Sequence, residues 1–423
     1  MVYANNFAGA TDNDTIEAAI AGCDADGIVV IEPRVSETEP ERNLWLLDRA
    51  VLLPENTTVI LRGCTIKLSD RCRDNFFRTA NCGIGIEFPE KIKNVYLRGE
   101  GKCVLLGADH PRAVGDGSKI LANPCPYREE DAIRFADWIS EEKKSGVRAL
   151  DFMDMHSHSY GTDAGKDGES QYGDWRGIGI LFANTENFAI ENIHIVDSHG
   201  WGISLEACSY GKLSGISFDA KMSKEIDSML QNMENQDGID LRNGCHHITI
   251  SDISGRTGDD LIALTAVCSG GYRPGGSMRY THVMHSDWTK RERDIHDITV
   301  SNVCGYSSLC FAFRLLAVES RIYNIILNNL NSVHPKESKQ TAAILIGEEC
   351  DGAYGKISRD GIRNVIISNV ISNSPNAVWV GGWLHDSVIS NIVSLTPDSD
   401  AIKASHGNSL TNVKIEGIVG KGE

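Results

Sequence analysis

The run His247-Ile-Thr-Ile-Ser-Asp-Ile253 returns as Asp297-Ile-Thr-Val-Ser-Asn-Val303, Asn324-Ile-Ile-Leu-Asn-Asn-Leu330 and Asn364-Val-Ile-Ile-Ser-Asn-Val370, and again as Asn412-Val-Lys-Ile-Glu-Gly-Ile418. Earlier copies are Asn187-Phe-Ala-Ile-Glu-Asn-Ile193, Asn94-Val-Tyr-Leu and Thr58-Val-Ile-Leu. Each alternates apolar and polar residues, as a strand with one buried face does. Neighbouring copies stand roughly 23 to 27 residues apart where no loop intervenes, a period that marks a solenoid. One such strand cannot bury its face alone, so the units must stack. The pattern predicts an all-β fold, a right-handed single-stranded parallel β-helix of about ten rungs, spaced roughly 4.8 Å along the axis. Ile248, Ile250, Ile298, Val300, Ile325 and Leu327 are then the inward rows.

A solenoid grows by adding rungs, so 423 residues fit one domain, 1–423, rather than the two or three that the length alone implies. The 41 glycines and the many Asn and Ser suit tight turns between short strands. Residues 1–70 form an N-terminal cap and first rung. There Asp12-Asn-Asp-Thr15 is read as a helix N-cap before the short amphipathic stretch Ile16-Glu-Ala-Ala-Ile-Ala-Gly22. Insertions at 104–175 and 268–294 break the rhythm, and residues 219–234 look partly helical. Long loops on a rigid scaffold are where function concentrates.

No run approaches the roughly 18 apolar residues of a membrane span. The N-terminus has no basic region followed by an apolar core, which predicts a cytoplasmic protein; a secreted chain trimmed of its signal would read the same. A net charge of -17 argues against a nucleic-acid partner. The 12 cysteines hold no CxxC pair and read as buried free thiols, Cys64, Cys103, Cys304 and Cys310 among them. No Cys/His cluster has zinc spacing. Oligomeric state is left open.

Against this frame stand Asn235-Gln-Asp-Gly-Ile-Asp240 and Gly258-Asp-Asp-Leu-Ile-Ala263, one repeat apart. Their spacing stacks Asp237 on Asp259 and Asp260 in neighbouring rungs. Glycoside hydrolysis needs one carboxylic acid to protonate the leaving oxygen and one carboxylate to activate water or attack the anomeric carbon. Crowded carboxylates cannot all ionise at neutral pH, so one keeps a proton. Asx turns are the bland reading of the same residues. Asp240 either faces the cleft or closes a turn.

Asp197-Ser-His-Gly-Trp201, Ile216-Ser-Phe218, Asn235-Gln-Asp-Gly238, Ile248-Thr-Ile250 and Gly258-Asp-Asp260 together resemble the central region of family 28 glycoside hydrolases, the polygalacturonases and their relatives. The cap resembles the opening of pectate-lyase-superfamily proteins. The resemblance implies that Asp259 is the general acid and that Asp237 and Asp260 hold the nucleophilic water. It also implies inversion, although carboxyls on adjacent rungs could lie closer than the roughly 6.5 to 9.5 Å usual for inverting enzymes. Two family motifs are missing. The strand aligned with the family's GHG reads Gly305-Tyr-Ser-Ser-Leu-Cys310, and that aligned with its carboxylate-binding RIK reads Ala342-Ala-Ile-Leu-Ile-Gly347. Arg314, Arg273 or Arg279 would have to replace the cation, and His282 or His285 the imidazole.

Other candidates for substrate contact are Asn235, His199 and Trp201 one rung before Asp237, and Trp383 beyond it; Trp201 serves equally well as core. The reading is a glycosidase acting from the end of an oligosaccharide, on a substrate other than standard polygalacturonate. It needs no cofactor, and a calcium site made of Asp carboxylates, such as pectate lyases use, stays open. A β-helix lyase, transferase or epimerase is the alternative enzyme. A tailspike-like protein that binds carbohydrate without turnover is the alternative outside catalysis.

Overall fold

The computed structural model describes most of residues 1–120, 174–267, 292–348 and 359–420, with Val283 between them. It is an all-β right-handed parallel β-helix. Among the described residues no helix is long and apolar enough to cross a membrane. The chain divides into two compact units, the first Met1–Ile203 with Lys221–Gln236 and Pro274–His285, the second Ser204–Ala220 with Asp237–Arg273 and Ser286–Glu423.

In the first unit, helix α1 spans Asp12–Ala21, one residue after its N-cap. Thr11 Oγ1 accepts from the Asp14 backbone N–H, and the Asp14 carboxylate accepts from the Thr11 N–H, a capping box. Buried Ile16 and Ala19 sit on the face that packs against the strands Ile28–Ile31, Trp45–Leu47 and Val51–Leu53. Each of these belongs to a parallel stack, and Val2–Tyr3 pairs with Ile28–Ile31 at the head of the first. Ile28–Ile31 pairs with Thr57–Arg62, then Ile92–Glu100, then Thr185–Glu191. Trp45–Leu47 pairs with Thr65–Leu68, then Val104–Leu106, then His194–Val196.

Residues 219–234 correct the helical expectation. Ser223–Ile226 and Met229–Asn232 pair as an antiparallel hairpin. Lys, Glu, Met and Leu are good helix formers, but propensity is a weak prior that strand pairing overrides here.

The second unit carries two parallel sheets. The long sheet stacks His246–Thr257, Ile295–Ser307, Ile322–Ser332, Ile362–Ser372, Leu384–Ser394 and Leu410–Val419. The short sheet stacks Ile239–Arg242, Ile262–Val267, Phe313–Val318, Ala342–Ile346, Asn376–Val380 and Ile402–Ala404. The expected inward rows are in register: Ile248 over Ile298 over Ile325, and Ile250 over Val300 over Leu327, all buried.

The conserved look of Asn in the repeats has a backbone cause. Asn324, Asn364 and Asn412 adopt φ of 58, 54 and 54°, the left-handed region that Asn tolerates better than other side chains. Their amides donate from rung to rung, Asn364 Nδ2 to Asn324 Oδ1 at 3.1 Å and Asn324 Nδ2 to Asp297 Oδ1 at 2.8 Å. Partners in this ladder lie 27, 40 and 26 residues apart, the largest spanning an insert.

The cysteines are only partly as expected. Cys64 and Cys103 are buried free thiols, but Cys304 is exposed on the outer face of its strand and Cys310 is half-buried beside carboxylates. Alternation puts Cys304 outward because Val303 and Gly305 take the buried positions.

Candidate active site

The carboxylates gather where the short strands of the second unit begin. Asp237 precedes Ile239–Arg242, and Asp259 and Asp260 precede Ile262–Val267. The Gly238 N–H donates to the Asp260 carbonyl at 2.8 Å, which locks the two rungs at this point. A Cβ on Gly238 would lie 2.3 Å from the Leu261 carbonyl oxygen, so the residue after Asp237 must be glycine for the rungs to close. On the next rung Leu261 N–H donates to the Phe311 carbonyl at 2.9 Å, bringing Cys310 and Phe311 alongside Asp259 and Asp260.

Asp260 is the most constrained member. Its Oδ1 accepts from the Phe311 backbone N–H at 3.0 Å, and its Oδ2 lies 3.6 Å from an Arg314 guanidinium nitrogen. Burial pushes its carboxyl up to about 7; the charge of Asp259 adds to this, while Arg314 and the Phe311 N–H oppose it. Asp240 follows the same logic more strongly. It is 1% exposed, its Oδ2 has no hydrogen-bond partner among the described residues, and burial drives its carboxyl well above the usual range. Asp260 and Asp259 act in the same direction, and Arg242 and Arg314 against it. Asp260 therefore holds its proton toward neutral pH, and Asp240 is raised in the same direction, which is the condition for acid catalysis by a carboxyl group.

Asp259 is the more open member of the pair, with its Oδ1 accepting its neighbour's backbone N–H at 2.9 Å. The Cys310 thiol hydrogen-bonds to the Asp259 carboxylate, and burial, then the charges of Asp259 and Asp260, push that thiol far up, so it stays a neutral donor. Donor atoms of Asp259, Asp260 and Cys310 lie within 4.8 Å of one another, close enough to share a metal ion.

A column of outward side chains leads away from the cluster. Asp240, Ala263, Arg314, Leu345, Trp379 and Lys403 are in register on six successive short strands. Leu345 packs with Phe311 and Ala342, and Cys310 and Trp379 pack against them. Lys403 Nζ lies 4.5 Å over the Trp379 ring, and Trp379 Nε1 donates to Ser405 Oγ at 2.8 Å. Beyond Arg314 the column is thus buried at Leu345 and reaches solvent at Trp379 and Lys403.

Of the residues singled out in the sequence, Asp237, Asp259, Asp260 and Arg314 come together here. Trp383 lies past the other end of the short strands, stacked on His406 with ring centroids 5.2 Å apart and under Arg359. Asn235, His199 and Trp201 belong to the first unit. His199 Nε2 accepts from the Ala108 N–H at 2.9 Å, and Trp201, 5% exposed, packs in a cluster with Trp175, Ile178 and Leu181. Arg273, Arg279, His282 and His285 lie outside the described residues, as do most of both insertions. Cys310, Trp379 and Lys403 were not foreseen. Their signal is a second, shorter repeat, Ile239-Asp-Leu, Phe313-Arg-Leu, Ile344-Leu-Ile, Val378-Trp-Val and Ile402-Lys-Ala, whose middle positions form the column.

The sequence profile of glycosyl hydrolases family 28 matches residues 139–271, which include Asp237, Asp259 and Asp260. No curated protein matches the chain at a significant level. Among solved structures, a hyperthermoactive exopolygalacturonase from Thermotoga maritima is similar at 15% identity and a TM-score of 0.50, over 99% of this chain and 92% of that one. A polygalacturonase from Erwinia carotovora ssp. carotovora gives 15% and 0.50, over 98% and 92%. A double mutant of the tailspike protein of E. coli bacteriophage HK620 gives 12% and 0.53, over 98% of this chain and 65% of that one. At these identities the structural likeness speaks for the fold.

Proposed function

We propose that this family 28-like β-helix protein is a glycosidase that cleaves an oligosaccharide by carboxylate acid and base catalysis. The observation that carries the reading is Asp260, pushed up to about 7 by burial next to Asp259, with Arg314 3.6 Å away. The proton that Asp260 holds lies beside Asp259. Asp259, the more accessible member, delivers it to the leaving oxygen, and Asp237 takes the proton of the attacking water. One water between acid and base gives inversion, the stereochemistry that the family resemblance also implies. An exo mode follows from the two long insertions in the sequence.

The substrate follows from the column. The rung aligned with the family's carboxylate-binding motif, Ala342–Ile346, is fully buried and carries no cation, and the next offers the partly exposed ring of Trp379. Apolar and aromatic faces suit the C–H face of a neutral sugar ring better than a uronate, so standard polygalacturonate is not the substrate. A lyase reading is disfavoured by Arg314, whose guanidinium faces Asp260 rather than standing free as a base.

The test incubates the protein with neutral and acidic oligosaccharides and measures new reducing ends. Turnover of a neutral oligosaccharide, with kcat/KM about tenfold lower in Trp379→Ala, is the expected result, a loss of about 1.4 kcal/mol. An unsaturated, ultraviolet-absorbing product would instead identify a lyase. Saturable sugar binding without turnover would identify a tailspike-like binding protein.

A further inference from the structure

The corner column of the long sheet changes character at the rung of His247. In the second unit, Asn324, Asn364, Asp386 and Asn412 hold the positive-φ corner, as does Asp297 at φ 56°, but His247 takes it at φ 54°. Histidine there gives up the rung-to-rung amide bond and adopts a backbone conformation that a bulky side chain tolerates poorly. The corner also turns two consecutive side chains outward. His246 and His247 are both unburied before buried Ile248, and His296 and Asp297 before buried Ile298. Two repeats of a plain structural pattern thus project three histidines and a carboxylate on one edge.

Their atoms converge. His296 Nδ1 lies 2.7 Å from Asp297 Oδ2, and His247 Nε2 lies 3.7 Å from the same oxygen. The donor atoms of His247, His296 and Asp297 all lie within 4.8 Å of one another. Each is also held from behind. His247 Nδ1 and His246 Nδ1 are 2.8 Å apart, and in the tautomer in which His247 Nδ1–H donates to His246 Nδ1 the His247 Nε2 carries the lone pair that a metal needs. Asn324 Nδ2 donates to Asp297 Oδ1 at 2.8 Å, leaving Oδ2 for other work. The His296 ring is clamped between His246 and Tyr323, with centroids 4.9 Å away on each side and interplanar angles of 5° and 8°. Outer contacts that fix ring tautomer and orientation are what metal-binding imidazoles require.

We propose that His247 Nε2, His296 Nδ1 and Asp297 Oδ2 bind a divalent transition-metal cation of the zinc class, with water completing the coordination. Two imidazoles and one carboxylate are a borderline donor set that suits zinc, whereas calcium and magnesium take six or more oxygens. Bond lengths of about 2.0 to 2.2 Å to such a cation require only small rotations of the three side chains. Binding displaces to solvent the proton that His296 Nδ1 shares with Asp297 Oδ2. The side chains are 44, 23 and 36% exposed for His247, His296 and Asp297, so an ion enters from solvent without opening the sheet. The site ties two long strands that follow each other only after the insertion at 268–294.

The experiment uses the full chain, freed of metal with a chelator and titrated with Zn2+ by calorimetry, with Co2+ absorption as a second readout. Wild type takes up one equivalent, develops visible cobalt bands typical of nitrogen and oxygen ligation, and gains thermal stability; Mg2+ and Ca2+ do neither. His247→Asn puts the common corner residue back, so it folds and keeps the metal-free melting temperature, but binds Zn2+ at least tenfold more weakly. Asp297→Asn, equally suited to the corner, gives the same loss. Zinc affinity within threefold of wild type in either variant would overturn the proposal, as would the absence of saturable uptake by wild type. In those cases the imidazole stack acts only as a clamp between rungs.

Discussion

Along the long sheet, Ile248, Ile298 and Ile325 lie over one another and Asn324 and Asn364 turn the corners, each rung repeating the one before. At the starts of the short strands the successive rungs instead bring Asp237, the Asp259–Asp260 pair, and Cys310 with Phe311, and the column beside them runs from Asp240 to Arg314. The first arrangement lowers free energy by burying apolar surface and pairing amides. The second buries acids at a cost that only a cation, a proton or a backbone N–H offsets. Stability and chemistry therefore sit on different sheets of the same unit, and perturbing each should leave the other's signature intact.

The largest effect is expected at the acid. Asp259→Asn keeps the shape and the backbone contact but cannot deliver a proton, so kcat should fall by about 10² to 10⁴ with the melting temperature little changed. A variant with wild-type kcat would return the Asp pair to the status of turn residues. On the other sheet, Leu327→Ala empties part of a fully buried row and should destabilise by about 2–5 kcal/mol in denaturant titration, while kcat per folded molecule stays within twofold. A loss of kcat in that folded variant would mean that the two sheets are not separable in this way.

Much of this was legible in the sequence because a solenoid writes its core as a repeat. The Asn-led copies show the inward rows, and the departure at Asp237, Asp259 and Asp260 marks the candidate site. The helix was read as starting at Ile16 after a cap in Asp12–Thr15, whereas it begins at Asp12 with Thr11 as its N-cap. What was not legible depended on register. Trp379 and Lys403 join Arg314 in one column through strands too short to show a period alone. Cys310 reads as a core thiol until its rung is placed against Asp259. The imidazoles of His247 and His296 show no metal spacing because their two rungs are separated by the long insertion, and only the pairing of His246 with His296 brings them together.

The central claim is that burial among neighbouring carboxylates makes Asp260 hold a proton near neutral pH, and thermal stability against pH in wild type and Asp260→Asn tests it most directly. In the folded protein this carboxyl is raised from 3.8 to about 7, so the stability it contributes is fully present below 3.8 and is lost as pH rises through 7. Wild type should lose stability across that interval and continue to do so just above it. Asp260→Asn should be flatter and, above 7, more stable than wild type by roughly 1–3 kcal/mol, while its turnover is impaired. Parallel curves for the two proteins, or a variant less stable than wild type above 7, would contradict the account.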